Sequence, residues 1–146
     1  MGYTEAYTAY RETGVKTAGK GRLIVMLYDG AIKALTAAWE RIADDGKVEL
    51  YDVDKFNTSC LRAQEIITEL MVSLDMRDGG EIAENLMALY IFFNQELLHA
   101  NIHRDKQKIT FVLEMMSQLR ESWEIAANTA VVTGADRVFS TVDISG

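Results

Sequence analysis

The sequence contains no proline, where ordinary usage of about 5% would place roughly seven in 146 residues. Helix interiors exclude proline more strongly than any other residue, so its absence favours a chain built from helices. Cysteine is down to one, Cys60, which excludes an intrachain disulfide framework and fits a reducing compartment. Positive charge is also short. With 15 basic against 22 acidic residues the formal charge is −7, which argues against a protein that grips nucleic acid through its phosphates. No stretch approaches the ~18 uninterrupted apolar residues of a membrane span, and the opening MGYTEAYTAYRETG lacks the basic start and apolar run of a signal peptide. The expectation is one soluble, uncleaved, cytoplasmic domain with no membrane insertion.

What is present has the period of helices. Glycines and polar clusters divide the chain into four amphipathic segments at 100° per residue. The first spans about Lys20 to Asp44, with Leu23, Leu27, Ala31, Ala34, Leu35, Ala38, Trp39 and Ile42 on one face, and Asp44-Asp45-Gly46 as its stop. The second covers about Asp54 to Met76, with Phe56, Cys60, Ala63, Ile67, Leu70, Met71 and Leu74 inward. The third runs from about Glu81 to Ile102. The fourth runs from about Asp105 to Thr133, with Ile109, Val112, Leu113, Met116, Leu119, Trp123 and Ala127 inward. Short connections make sequential neighbours antiparallel, which predicts an all-α, up-down four-helix bundle over residues 17–133. An N-terminal segment, 1–16, and a tail, 134–146, lie outside it; Val138, Ser140, Val142 and Ile144 alternate too briefly for a sheet, and the tail is expected to fray.

The motifs that would carry chemistry are each incomplete. Gly14 to Lys20 imitates a phosphate-binding loop, but Gly21 stands where the magnesium-binding hydroxyl belongs and no strand precedes it. Glu96-Leu-Leu-His99 matches one Glu-x-x-His unit of a di-iron bundle, without the second unit that such a site requires. His103 follows His99 by one turn, yet the chain has no further histidine, and its one cysteine sits on an apolar face where a thiolate is suppressed. No metal, cofactor or catalytic residue is expected.

The third helix carries more apolar residues than one face can use. Ile82, Leu86, Leu89, Tyr90, Phe93, Leu97 and Ala100 share a core stripe within about 80° of Ile82, while Met87, Ile91 and Leu98 fall near 140° to 180°. A second stripe of this kind is covered by a partner, by another copy of the chain, or by the N-terminal segment. Tyr3, Tyr7 and Tyr10 repeat at i, i+4 and i+7, an amphipathic strip able to lie on an apolar groove. Met26, Met87 and Met115 are unbranched and suit either an adaptable surface or core filling.

In their order and spacing, AYRETGVKTA (Ala9 to Ala18), LIVMLYDGAIKAL (Leu23 to Leu35), RAQEIITEL (Arg62 to Leu70), GGEIAENLMALY (Gly79 to Tyr90), LLHAN (Leu97 to Asn101) and LRESW (Leu119 to Trp123) resemble the flagellin-specific export chaperones, the FliS family. The resemblance spans about residues 6–127. It implies a non-enzymatic cytoplasmic bundle that holds the disordered C-terminal region of flagellin, prevents premature polymerisation and delivers it to the flagellar export apparatus. It also implies further flagellar regulators as partners. The family's N-terminal motif falls on Ala9 and Tyr10, beside Tyr7, in a segment that covers or shapes the binding surface. Partner-binding residues are therefore expected at Tyr7, Ala9, Tyr10, Met87, Ile91 and Leu98; the alternative is a structural homodimer with no client. Two positions depart from the family's pattern. Gly19-Lys20 replaces a Ser-Pro helix start, and Ile91 replaces an acidic residue, which makes the second stripe more apolar.

Overall fold

The computed structural model describes residues 19–128, and four helices account for most of that span: α1 (Gly19–Glu40), α2 (Val53–Ser73), α3 (Gly80–His103) and α4 (Lys106–Asn128), with a 3-10 turn at Leu50–Asp52. At 1.5 Å per residue the helices run about 32 to 36 Å, so their ends align. They close into an all-α four-helix bundle in which α1 shares its widest interfaces with α4 and α2, while α3 meets α4 along the narrowest. Cross-pairs fix the antiparallel register of α1 and α4: Arg22 Nη2 lies 2.6 Å from Glu124 Oε2 at one end, and the Trp39 indole donates to Thr110 Oγ1 at 2.9 Å towards the other. Glu96 with Lys108 and Phe92 with Phe111 do the same for α3 and α4.

Because α1 is flanked by two wide interfaces, it is buried over a broader arc than a single stripe. Ile24, Val25 and Tyr28 join the expected Leu23, Leu27, Ala31, Ala34, Leu35 and Ala38 in the core. Trp39, expected inside, is 38% exposed, with Lys106 Nζ 4.0 Å from its ring centroid. Gly21 has a packing role: a Cβ there would stand 3.1 Å from the Ala127 Cβ and 3.2 Å from its Cα, so the missing side chain lets α1 and α4 approach. That role accounts for glycine at the position where a phosphate loop would need a hydroxyl.

Helix ends follow local hydrogen bonding. Beyond Glu40 the amides of Arg41 and Ile42 bond three residues back, which tightens the last turn and ends α1 before Asp44, although Ile42 stays buried. The chain then turns through Gly46 at φ +86°, where a Cβ would meet the Arg104 carbonyl oxygen at 2.9 Å. α2 stops at Ser73, three residues short of Met76, because Asp75 Oδ1 accepts from the amides of Arg77 and Asp78 at 3.0 Å each and captures them into a turn. Arg104 closes α3 in the left-handed region at φ 54°, and Asp105 Oδ1 caps α4 by accepting from the amides of Gln107 and Lys108.

The largest buried side chains, Tyr28 and Tyr90, join their hydroxyls in a short hydrogen bond across α1 and α3, and the Trp123 indole of α4 bonds to Tyr28. Burial raises both phenols well above the ordinary tyrosine range. Tyr28, Tyr90 and Trp123 belong to three of the resembling segments, which meet in the core through their polar atoms.

Candidate partner-binding surface

Tyr7, Ala9 and Tyr10 lie outside the described residues, as do segment 1–16 and tail 134–146. The other three expected residues sit on α3. Leu98 is 52% exposed and Ile91 41%, whereas Met87 is half-buried and packs against the core. The core stripe is rotated from its expected centre. Ile82, expected inside, is 55% exposed, and Ala83 is buried in its place. Leu86, Tyr90, Phe93, Leu97 and Ala100 are buried as expected, with Leu89 packed at the edge.

The second stripe is wider than one helix. Asn94, between Ile91 and Leu98 in sequence, donates from Nδ2 to Thr68 Oγ1 of α2 at 3.1 Å, and its backbone carbonyl accepts from Gln64 Nε2 at 3.3 Å. These bonds place the α2 edge of α3 alongside residues 64–68. In antiparallel register Leu61 then falls near the level of Leu98 and Val72 near that of Ile91; both are exposed. Ile102 extends the strip by one more turn. The result is an apolar band over the α2–α3 seam, formed by Leu61, Val72, Ile91, Leu98 and Ile102, with Met87 and Met71 at its floor.

A second apolar feature lies on the opposite edge of α3. Phe92 and Phe111 meet edge to face across the α3–α4 seam, centroids 6.0 Å apart, each 41% exposed. Phe92 points away from both stripes recognised in the sequence, so periodicity gave no signal for it. Leu61 and Val72 are equally silent in sequence, because isolated apolar residues on a polar face acquire meaning only when α3 packs beside them.

The surface carries little that could perform chemistry. His99 and His103 bring their rings to 4.2 Å, but the Glu96 carboxylate is engaged by Lys108 Nζ at 3.0 Å. Among the described residues no three His, Cys, Asp or Glu side chains converge as a metal site. Burial pushes the Cys60 thiol up to about 11, partly opposed by Arg104, so at neutral pH it is a packed thiol and not a nucleophile. No helix among the described residues is long and apolar enough to cross a membrane.

A family model described as "Flagellar protein FliS" matches residues 3–130. Proteins named flagellar secretion chaperone FliS are similar over most of their length. The one from Salmonella typhimurium is 38% identical over 114 residues, 77% of this chain and 80% of its own. That from Bacillus subtilis is 31% identical over 126 residues, 86% and 89%, and that from Escherichia coli 31% over 123 residues, 83% and 86%. With this bundle and these relatives, the chain belongs to the FliS family of flagellar secretion chaperones, a family of chaperones and not of enzymes.

Proposed function

We propose that this chain is a cytoplasmic chaperone that binds the disordered C-terminal region of flagellin along the α2–α3 seam, keeps it from polymerising, and presents it to the flagellar export apparatus. The observation that supports this reading is the exposed band of Ile91, Leu98, Leu61 and Val72 on helices whose other faces already fill the core. A client held unfolded has amphipathic segments with unsatisfied apolar faces, and a helix laid in such a band buries both. The departure at Ile91 strengthens the band, because an acidic side chain there would interrupt it. Tyr7, Ala9 and Tyr10 cover or shape the band before the client arrives, and further flagellar regulators are additional partners. The competing reading is a homodimer that buries the band permanently.

Calorimetric titration with a flagellin C-terminal fragment tests the assignment. Binding with a negative heat-capacity change is expected for the wild type, since apolar area leaves water. Ile91→Asp and Leu98→Asp should each weaken binding by at least about tenfold at unchanged helicity, the loss expected when a charge enters a desolvated contact. Wild-type affinity in both variants would place the client on another face. A dimer that persists on dilution and ignores the fragment would favour the homodimer.

A further inference from the structure

Two histidines stand together outside the apolar band. His99 and His103 are one helical turn apart on α3, both exposed, with ring centroids 4.2 Å apart and planes inclined at 39°. They continue a line of the helix that begins with Phe92 and Glu96, since residues 92, 96, 99 and 103 stand at i, i+4, i+7 and i+11. Phe92 and Glu96 both touch α4, so this line lies on the α4 side of α3, away from the edge where Asn94 bonds to α2.

Side chains four residues apart on a helix have Cβ atoms about 5–6 Å apart. This is the spacing by which the two histidines of a zinc-peptidase helix grip one ion. An ion about 2.0–2.1 Å from one nitrogen of each ring lies about 3.2 Å from each centroid, so a right to tetrahedral angle at the ion sets the centroids about 4.5–5.2 Å apart. The observed pair therefore has to open by only about 1 Å at most to form a chelate. The turn that carries the rings is fixed, because the amides of Arg104 and Asp105 both bond to the Ala100 carbonyl and close the end of α3. The helix thus holds both rings near chelating distance before any ion arrives.

The neighbouring carboxylates are occupied. Lys108 holds Glu96, Lys106 holds Asp44, and backbone amides engage Asp45 and Asp105. The pair consequently offers two protein ligands. His103 also lines an open cavity of about 240 Å³ at this end of the bundle, which leaves room for water to complete the shell. Di-iron and closed zinc sites demand more ligands than the chain supplies, whereas a two-imidazole chelate does not.

We propose that His99 and His103 chelate one divalent transition-metal ion at the end of α3, with solvent filling the remaining positions. The ion is of the class that imidazole favours, Zn²⁺, Ni²⁺ or Cu²⁺, with Cu²⁺ held tightest. Mg²⁺ and Ca²⁺ are excluded because they require oxygen ligands. Bound there, the ion clamps the last turn of α3, the turn that also carries Ile102. This assignment does not depend on where a client binds.

Calorimetric titration of ZnCl₂ and NiCl₂ into the untagged protein tests it, since a polyhistidine tag would mask the pair. One ion per chain is expected. Its affinity should fall at least about tenfold in His99→Gln and in His103→Gln, because losing a ligand costs at least as much as losing a contact that supports one. The double variant should bind neither ion, and MgCl₂ should give no binding heat with the wild type. Zinc should also raise the melting midpoint of the wild type and leave that of the double variant unmoved, because the unfolded chain does not hold the two rings together. Both positions are exposed, so circular dichroism of the variants should match the wild type. No zinc or nickel binding by the wild type up to millimolar ion, or one-ion binding that survives unchanged in the double variant, would overturn the assignment.

Discussion

Removing hydroxyls from the Tyr28–Tyr90–Trp123 group should produce a strongly non-additive result. The Trp123 indole can only donate, so its N–H occupies one lone pair of the Tyr28 oxygen, and a second bond, in which either hydroxyl can donate, joins Tyr28 to Tyr90. Tyr28→Phe therefore strands two groups at once, the indole N–H and the Tyr90 hydroxyl. At roughly 1–3 kcal/mol per buried unsatisfied group, the expected loss is about 2–6 kcal/mol. Tyr90→Phe leaves only the Tyr28 hydroxyl without its phenol partner, for about 1–3 kcal/mol. The double variant again strands one group, the indole N–H, and is expected to lose about 1–3 kcal/mol, less than Tyr28→Phe alone. A urea-denaturation double-mutant cycle followed by circular dichroism reads the coupling, which should reach about 2 kcal/mol or more in favour of the double variant. Additivity of the two single losses to within about 0.5 kcal/mol would show that the hydroxyls act independently and would refute the network.

Ile91→Asp should leave stability within about 0.5 kcal/mol, as at other surface positions, whereas Met87→Asp should lose several kcal/mol because the carboxylate would enter the edge of the core; thermal melts of the two variants decide between these positions. Alkaline titration should destabilise the bundle. Tyr28, Tyr90 and Cys60 all ionise at higher pH when folded than when unfolded, so the unfolded chain releases protons first and stability falls from about pH 9 upward, through the Cys60 value near 11. The double tyrosine variant should flatten the upper part of that curve, and an unchanged slope would count against buried, neutral phenols. Gly46→Ala should lower stability by about 1–3 kcal/mol, since the residue combines φ +86° with a carbonyl oxygen 2.9 Å from the added Cβ, and a melting midpoint equal to wild type would contradict that geometry.

Much of this molecule was legible in its sequence, and the gaps have physical causes. Four helices and their antiparallel order follow from apolar period and short polar turns, and Phe56, Cys60, Ile109, Val112, Met116 and Trp123 lie buried as their spacing requires. A single apolar stripe does not reveal Tyr28, Ile24 and Val25, because it suits a helix with one broad neighbour, and α1 has two. Wheel angle alone puts Ile82 and Trp39 inside; burial depends on the direction of the neighbouring helices, which a wheel does not contain. The exposure of Ile91 and Leu98 is legible because apolar residues opposite a core stripe are a surplus that helix packing cannot absorb. Leu61 and Val72 become visible as part of the band only with α2 and α3 side by side. The segments that carry the family resemblance converge on the core at Tyr28, Tyr90 and Trp123, so they identify the bundle more strongly than they identify the surface that holds a client.

Site-specific photo-crosslinking tests the central claim most directly. With p-benzoyl-phenylalanine in place of Ile91, Leu98 or Leu61, irradiation in the presence of full-length flagellin should yield adducts that mass spectrometry maps to the flagellin C-terminal region. Adducts confined to a second copy of this chain, or no flagellin adduct from any of the three positions while the proteins remain in complex, would contradict the assignment of the α2–α3 seam as the client-binding face.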